Sequence, residues 1–369
     1  AMLNDSFGAF FPVFLDHGWP TVALGSGLIW VMYFLVVNGI KTAKAVNMVL
    51  AVLKVIAISF ILVLLVLNVK MGLFSYDFWG RLSDLGGLDS QINSTVMVTL
   101  WCFLGIEGAV MMAARARNPM DVGRAGLTGF FLAWILYVLV SVLCFGVMTQ
   151  PELASLENPS VAYVLRTVVG DWAYYFVIVS IIVSLIGGWV SWSLICAQVP
   201  MEAAEVGIFP KKFLKLYRNA MPGYAIFVSS VIMQIFLFFV VMADNIYLAA
   251  LSISGMMILP PYFFSGLYLW KATLRPEWLR NPSRVRLLRF RVVGVICSIN
   301  CLWMIYAGGL DLLMLSSWFY LPGFFFYVKV RNRDRRPTPR NVISCFTVAE
   351  RWQLAAMVAC AVMSALFVR

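Results

Sequence analysis

The chain has 369 residues, of which 62% are hydrophobic and 12% charged, and its mean hydropathy is +0.89. Soluble domains carry roughly 45–50% apolar and about 25% charged residues, so the composition excludes an ordinary soluble protein. Lys and Arg outnumber Asp and Glu by 28 to 17. The placement of this basic excess decides whether it indicates nucleic acid binding or membrane orientation.

Ten apolar segments account for most of the chain. A membrane-spanning helix needs about 20 apolar residues. Segments of about that length lie at 21–40, 46–69, 95–115, 125–149, 173–199, 223–243, 246–270, 292–310, 312–329 and 352–368. Residues 1–16 are too short and too interrupted to span, and no signal-peptide n-region precedes them. The sequence therefore predicts an all-α polytopic membrane protein, and we expect residues 1–16 to be the outer end of a helix whose beginning is absent.

The positive charge is concentrated in alternate loops. Of the 28 Lys and Arg residues, 23 lie in every second connecting segment, most of them in 271–291 and 329–351, while the intervening loops carry Asp and Glu. Cytoplasmic loops of membrane proteins show this bias. The pattern predicts which loops are cytoplasmic and supports the count of ten spans. It also explains the charge without a nucleic acid partner, so none is predicted.

Lys54 is the first charged residue inside a predicted span. It lies more than two helical turns from the start of that span, which is deep for a side chain that snorkels to the cytoplasm. Ionisable groups within the membrane are candidate functional residues. Lys54 is either a fixed or protonatable cation that joins helices or carries a proton, or a snorkelling lysine.

The stretch WCFLGIEGAV places Glu107 between Gly105 and Gly108 in an otherwise apolar segment. Glycines beside a carboxylate indicate a discontinuous helix, whose unwound backbone is tolerated in a membrane only where protein or water satisfies it. Transporters bind substrates at such breaks. The alternative is an intact helix in which the glycines allow close packing and Glu107 pairs with a neighbouring helix.

The sequence Gly187-Gly188-Trp189 lies in the middle of another span. The glycines would let a neighbouring backbone approach, and a Trp that faces a cavity offers its ring to a cationic substrate. Packing is the alternative role for Trp189. Further on, Ser252, Ser254 and Gly255 precede Pro260-Pro261, which predicts either a polar, kinked helix lining a cavity or a kink for packing.

The residues needed for catalysis or metal binding are sparse. The seven cysteines form no CxxC pair and are expected to be free thiols, and His17 is the single histidine. A membrane-embedded acyl- or glycosyl-transferase needs a polar catalytic cluster, which scattered carboxylates do not supply. The sequence therefore predicts a protein that is not an enzyme, with neither a metal nor a cofactor.

These segments carry a family resemblance. TLWCFLGIEGAVMMAARARNPMDVGRAGLTGF resembles the sixth helix and following loop of amino acid antiporters of the amino acid–polyamine–organocation (APC) superfamily. GGWVSWSLICAQVPMEAAEVGIFPKKF resembles the eighth helix of that superfamily, ISGMMILPPYFFSGLYLW resembles the tenth, and residues 6–70 resemble the end of helix three through helix five. GIEGA followed by RARN is most similar to the basic amino acid antiporters of the arginine:ornithine and arginine:agmatine type.

The resemblance implies a LeuT-like inverted-repeat (APC) fold, with helices one and six broken. It places residues 1–369 in one transporter domain that lacks its first two to three helices. On that scheme 21–69 is the remainder of the first repeat, 95–270 is a complete second five-helix repeat, and 292–368 holds the C-terminal helices.

The resemblance also implies roles for individual residues. Trp101 corresponds to an aromatic residue that closes over substrate, and Cys102 stands where relatives often carry Ser. Leu104, beside Gly105, corresponds to the unwound position whose carbonyl contacts the substrate amine. The remaining roles are gating or proton response for Glu107, substrate stacking for Trp189, a helix-ten hydroxyl for Ser252 or Ser254, and a lysine at a sodium-ion position for Lys54.

These roles imply a multi-pass antiporter of the cell inner (cytoplasmic) membrane that exchanges arginine or a similar cationic amino acid for ornithine, agmatine or a related amine. Two alternatives stay open, a proton-coupled amino acid symporter of the same fold and a truncated fragment that does not transport. The expected partners are amino acid or amine substrates and the lipid bilayer. Relatives are commonly homodimers, although no dimer surface is identified in the sequence.

Overall fold

The computed structural model describes residues 6–11, 13, 19–38, 40–74, 86–111, 118–217, 221–240, 246–275, 284–334 and 348–367. Within these residues the regular elements are helices, which confirms the all-α prediction. They are α1 Trp19–Asn38, α2 Ile40–Leu67, α3 Met71–Phe74, α4 Leu88–Phe103, α5 Gly108–Met111, α6 Pro119–Phe145, α7 Gln150–Ala154, α8 Ser160–Val169, α9 Asp171–Glu205, a 3₁₀ helix Lys211–Leu214, α10 Gly223–Val240, α11 Ile246–Ala272, α12 Arg284–Gly308, α13 Leu310–Asp334 and α14 Val348–Phe367.

A helix lies at each of the ten predicted spans. Over the described residues, seven stretches are long and apolar enough to cross a membrane: Trp19–Asn38, Met48–Leu67, Leu88–Val110, Asp121–Phe145, Asp171–Glu205, Ala250–Ala272 and Arg286–Gly308. The other three predicted spans coincide with α10, α13 and α14. The chain is therefore a multi-pass helical membrane protein, and the count of ten spans stays a prediction.

The chain divides into two compact units, and one of the boundaries falls between Leu104 and Gly105, at the start of the GIEG stretch. The first unit comprises Ala1–Gly86 and Gly105–Asp244, and the second comprises Gly87–Leu104 and Asn245–Arg369. The assignment of all 369 residues to one transporter domain, with a repeat at 95–270, stays a prediction.

In the first unit, α9 is the central helix and packs against α1, α2, α5, α8 and α10. Near the middle of α2, Leu50 meets Gly187, whereas Ile61 and Leu65 share a buried cluster with Val177 near the start of α9. The two helices therefore run antiparallel. Packing of this kind depends on small residues that let membrane helices approach closely.

In the second unit, α11 packs most extensively against α12. A Cβ added at Gly294 would lie 2.7 Å from the Gly266 carbonyl oxygen, so the two backbones touch where they cross. α11 continues as a helix through Pro260 and Pro261. α4 packs against α11 and α12 through a buried cluster that includes Met97, Leu100 and Met256.

Candidate substrate site at the broken helix

The discontinuity predicted in WCFLGIEGAV is confirmed. α4 ends at Phe103 and α5 begins at Gly108, with residues 104–107 in a turn between them. Leu104 leaves the helix with extended torsions, φ −64° and ψ 139°. Gly105 has a backbone φ of +104°, a value that residues with a Cβ rarely adopt. A residue other than glycine at position 105 would therefore strain the turn.

Hydrogen bonds between residues close in sequence hold this turn. The Leu104 N–H donates to the Trp101 carbonyl at 3.1 Å, and the Gly108 N–H donates to the Gly105 carbonyl at 3.0 Å. The Gly105 N–H donates to Oε2 of Glu107 at 2.9 Å. Glu107 thus satisfies a backbone donor that the broken helix leaves open. The sequence had left open a Glu107 paired with a neighbouring helix, and the described contacts pair it within its own turn.

The Leu104 carbonyl oxygen is a candidate hydrogen-bond acceptor for substrate. Among the described residues, no backbone N–H donates to this oxygen. A carbonyl without a partner inside an apolar span is costly unless water or a ligand donates to it. The turn therefore offers a hydrogen-bond acceptor to a positively charged or polar donor.

Helix α9 forms the surface on which the turn rests in the first unit. A Cβ added at Gly105 would lie 3.2 Å from Cζ2 of Trp192, and one at Gly108 would lie 2.8 Å from Cδ1 of Ile195. Trp192 and Ile195 are one turn apart on α9. The sequence left open whether the glycines break the helix or allow close packing. The structure shows both, since the helix is broken at this turn and each glycine also lies close to a side chain of α9.

Trp192 was not identified from the sequence. Its spacing in GGWVSWSL puts it on the same side of a helix as Trp189, three residues earlier. That spacing was the available signal, but in a chain with 13 Trp residues it identifies no partner. The structure supplies the partner, the Gly105 turn. The Trp192 side chain is 44% exposed, so most of its surface is covered and one part stays open.

Trp189 lies next to α1. It is half-buried and packs, together with Leu35 and Ile186, against the buried pair Met32 and Val190. These contacts give Trp189 a packing role, and its stacking on substrate stays a prediction.

The glycines beside Trp189 differ from each other. A Cβ at Gly187 would lie 2.9 Å from Cβ of Leu50 on α2, whereas a Cβ at Gly188 would meet nothing within 4 Å. The predicted close approach of a neighbouring helix is therefore confirmed for Gly187 alone.

Lys54 lies one helical turn after Leu50 on α2. It is half-buried, and it forms no ion pair in the part of the chain that the structure describes. A salt bridge between helices therefore does not explain its position among the described residues.

The other predicted site residues belong to the second unit. Trp101 is 40% exposed, and Cys102 is exposed beside it at the end of α4. Ser252 and Ser254 lie on α11, where the Ser254 hydroxyl donates to the Leu251 carbonyl at 2.9 Å and keeps its own oxygen available as an acceptor. A Cβ at Gly255 would lie 3.6 Å from the Met97 carbonyl oxygen, so α11 packs directly beside α4.

The predicted residues therefore fall into two groups. Gly105, Glu107, Trp189 and Lys54 lie in the first unit, and Trp101, Cys102, Leu104, Ser252 and Ser254 lie in the second. Among the described residues, no group of three or more His, Cys, Asp or Glu side chains is placed to hold a metal ion.

Comparison with known proteins decides the family. The family model of the amino acid permeases matches residues 2–327, most of the chain. The chain belongs to the amino acid permease family. This permease is 36% identical to an arginine/ornithine antiporter of Pseudomonas aeruginosa over 373 residues, which cover 99% of this chain and 76% of that protein. It is 35% identical to an arginine/agmatine antiporter of Chlamydia pneumoniae over 338 residues, 90% of this chain and 70% of that protein. An arginine/agmatine antiporter of Chlamydia caviae is 36% identical over 342 residues, 91% of this chain and 70% of that protein.

Proposed function

We propose that this permease is a secondary antiporter of the cytoplasmic membrane that exchanges arginine or a similar cationic amino acid for ornithine, agmatine or a related amine. The observation that carries the proposal is the turn at residues 104–107, where a helix long enough to span is interrupted. The relatives described as arginine/ornithine and arginine/agmatine antiporters support the choice of substrates.

The substrate amine would bind at the end of α4. An ammonium group has three donors and no acceptor, and the Leu104 carbonyl accepts no backbone hydrogen bond among the described residues. Charge-assisted hydrogen bonds are roughly twice as strong as neutral ones. Trp101 and Cys102 lie on the last turn of α4 before this carbonyl, and Ser252 and Ser254 on α11 would supply further polar contacts.

The cationic side chain of the substrate would lie against tryptophan. A guanidinium or ammonium group over a Trp face gains roughly 0.5–2 kcal/mol. Trp189 is the predicted stacking residue, and Trp192 lies one turn further along α9 against the Gly105 turn. We assign Trp192 the task of keeping that turn in position, which leaves Trp189 to contact the substrate.

Glu107 and Lys54 would couple binding to conformational change. Glu107 accepts from the Gly105 N–H, so movement or protonation of its carboxylate would alter the turn that binds substrate. Exchange requires that the substrate stabilise the conformation between the outward- and inward-facing states more than it stabilises either of them. The transporter without substrate would then interconvert slowly between the outward- and inward-facing states, so inward and outward transport of substrate would be coupled.

One observation favours a second candidate, a proton-coupled symporter. Lys54 is half-buried in an apolar span and has no ion pair among the described residues. Such a lysine is suited to gain and lose a proton during transport. The two candidates differ in whether uptake needs an amino acid on the opposite side of the membrane.

Ligand-induced stabilisation of the full-length protein in detergent tests the choice of substrates. A ligand that binds the folded state alone raises the unfolding temperature, and the rise increases with the ratio of ligand concentration to dissociation constant. Arginine, ornithine and agmatine are expected to raise that temperature, and glutamate and leucine to leave it unchanged. Equal stabilisation by leucine and arginine would contradict a site for cationic amino acids.

A further inference from the structure

The segment between α9 and α10 has an exposed surface that contains none of the residues assigned to the substrate site. Residues 206–217, VGIFPKKFLKLY, contain three lysines and no carboxylate. We call this segment the basic loop, and we propose that it binds anionic phospholipids of the bilayer surface through its lysines and exposed apolar side chains.

The basic loop is held in place by its own contacts. The N–H groups of Ile208 and Phe209 both donate to the Ala203 carbonyl, at 2.8 and 3.1 Å. Phe213 is 5% exposed, and its ring lies between the rings of Phe209 and Tyr224 at centroid distances of 5.3 and 5.1 Å. The buried Phe213 thus anchors the short 3₁₀ helix Lys211–Leu214 against the first unit.

The lysines of the basic loop remain exposed, unlike Phe213. Lys211, Lys212 and Lys215 are all exposed, and none forms an ion pair in the described part of the chain. The nearest carboxylates along the chain are Glu202, which accepts a hydrogen bond from Gln198 at 2.9 Å, and Glu205. Three lysines therefore present positive charge that no neighbouring loop residue neutralises.

Apolar side chains are exposed on the same loop, which distinguishes a lipid from other anionic partners. Val206 is 76% exposed, and Ile208, Leu216 and Tyr217 are also exposed. Exposure of these apolar side chains to water is unfavourable. The boundary between lipid headgroups and acyl chains can solvate apolar and cationic side chains together. A nucleic acid or an acidic peptide would match the lysines and leave the apolar side chains in water.

The position of the basic loop along the chain suits the same partner. The predicted apolar span of α9 ends at residue 199, so Val206 lies about 10 Å further along the helix axis at about 1.5 Å per residue. α10 begins at Gly223, only a few residues after the loop ends. The loop therefore connects two predicted spans and would lie near the headgroup layer.

Lipid retention by the purified full-length protein tests the proposal independently of transport. The protein is solubilised from an equal mixture of phosphatidylglycerol and phosphatidylcholine, and bound lipids are counted by native mass spectrometry. Each basic residue near an anionic surface favours binding by about fivefold. The triple variant Lys211→Gln, Lys212→Gln and Lys215→Gln should therefore retain at least about tenfold less phosphatidylglycerol, with phosphatidylcholine unchanged.

Two further variants separate charge from apolar contact. Changing the same three lysines to Arg keeps the charge and should keep phosphatidylglycerol bound. Changing Val206→Ser together with Leu216→Ser keeps the lysines and should weaken phosphatidylglycerol retention. The proposal is overturned if the Gln variant retains wild-type amounts of phosphatidylglycerol. It is also overturned if soluble glycerol phosphate displaces the lipid as well as added phosphatidylglycerol does, since the site would then bind free phosphate groups rather than lipid.

Discussion

The backbone N–H of Gly105 donates a hydrogen bond of 2.9 Å to Oε2 of Glu107, so the carboxylate stabilises the turn that interrupts the helix. Glu107→Ala removes the acceptor and should destabilise the turn by roughly 1–3 kcal/mol, because the half-buried Gly105 N–H loses its partner. We expect this variant to slow arginine exchange by about fivefold or more. Glu107→Gln keeps an acceptor oxygen and should lose less activity. The initial rate of exchange in proteoliposomes measures both, and equal rates for Glu107→Ala and the wild type would show that the hydrogen bond is dispensable.

Adjacent glycines on α9 provide a matched pair. A Cβ at Gly187 would lie 2.9 Å from Cβ of Leu50, whereas a Cβ at Gly188 would meet nothing within 4 Å. Gly187→Ala should therefore destabilise the protein by roughly 1–3 kcal/mol through overpacking. Gly188→Ala should leave stability unchanged or slightly raised, since Ala favours a helix over Gly. Thermal unfolding in detergent compares the two, and equal effects would contradict the close approach of α2 to α9.

Substitutions of Trp189 and Trp192 on α9 are expected to have different effects. Trp189→Leu should abolish arginine counterflow with little loss of stability, because Leu still packs against Met32 and Val190. Trp192→Ala removes the side chain that lies against Gly105, so the apparent affinity for arginine should fall while Trp192→Phe restores part of it. Dose dependence of arginine counterflow measures these effects. Undiminished counterflow in Trp189→Leu would exclude Trp189 from the site.

Glu152, which lies outside the spanning segments, is expected to make the stability of the fold depend on pH. Its Oε2 accepts from the hydroxyl and the backbone N–H of Thr149, at 2.7 and 2.8 Å, and these hydrogen bonds hold the pKa of the carboxyl below its usual value of 4.5. A lowered pKa means that the stabilisation is present above the unfolded-state pKa and is lost as the pH falls through the folded-state pKa. Thr149→Ala should therefore lower the unfolding temperature at pH 7 and have less effect at pH 3. An equal effect at both pH values would show that ionised Glu152 is not involved.

The helical architecture was largely predictable because long apolar runs in the sequence indicate membrane spans. Nine of the ten runs each overlap mainly one helix, and the run 95–115 is divided between α4 and α5, a break that the glycines around Glu107 indicated. The limits of the elements were less predictable. α4 begins at Leu88, seven residues before the predicted start at 95, because the polar turns LDSQINS continue a helix that hydropathy does not detect. The helix Ser160–Val169 was missed for a related reason, since it is too short to span.

Individual contacts of the site could not be read from the sequence. Nothing in GGWVSWSL shows that Trp192 meets Gly105 or that Gly187, rather than Gly188, meets Leu50, since both contacts join segments far apart along the chain. They depend on the rotation of α9 about its axis, which many packing contacts determine together. The pairing of Glu107 with its own turn has the same origin, because the sequence permitted a partner on another helix equally well.

Arginine counterflow in proteoliposomes tests the central claim of coupled exchange most directly. The full-length protein is reconstituted, the vesicles are loaded with ornithine, agmatine, glutamate or buffer alone, and the uptake of labelled arginine is followed without a proton gradient. An antiporter for cationic amino acids predicts rapid uptake with internal ornithine or agmatine and almost none with glutamate or buffer. Uptake into buffer-loaded vesicles that an imposed inward proton gradient drives, and that internal ornithine does not accelerate, would contradict exchange and indicate proton-coupled symport.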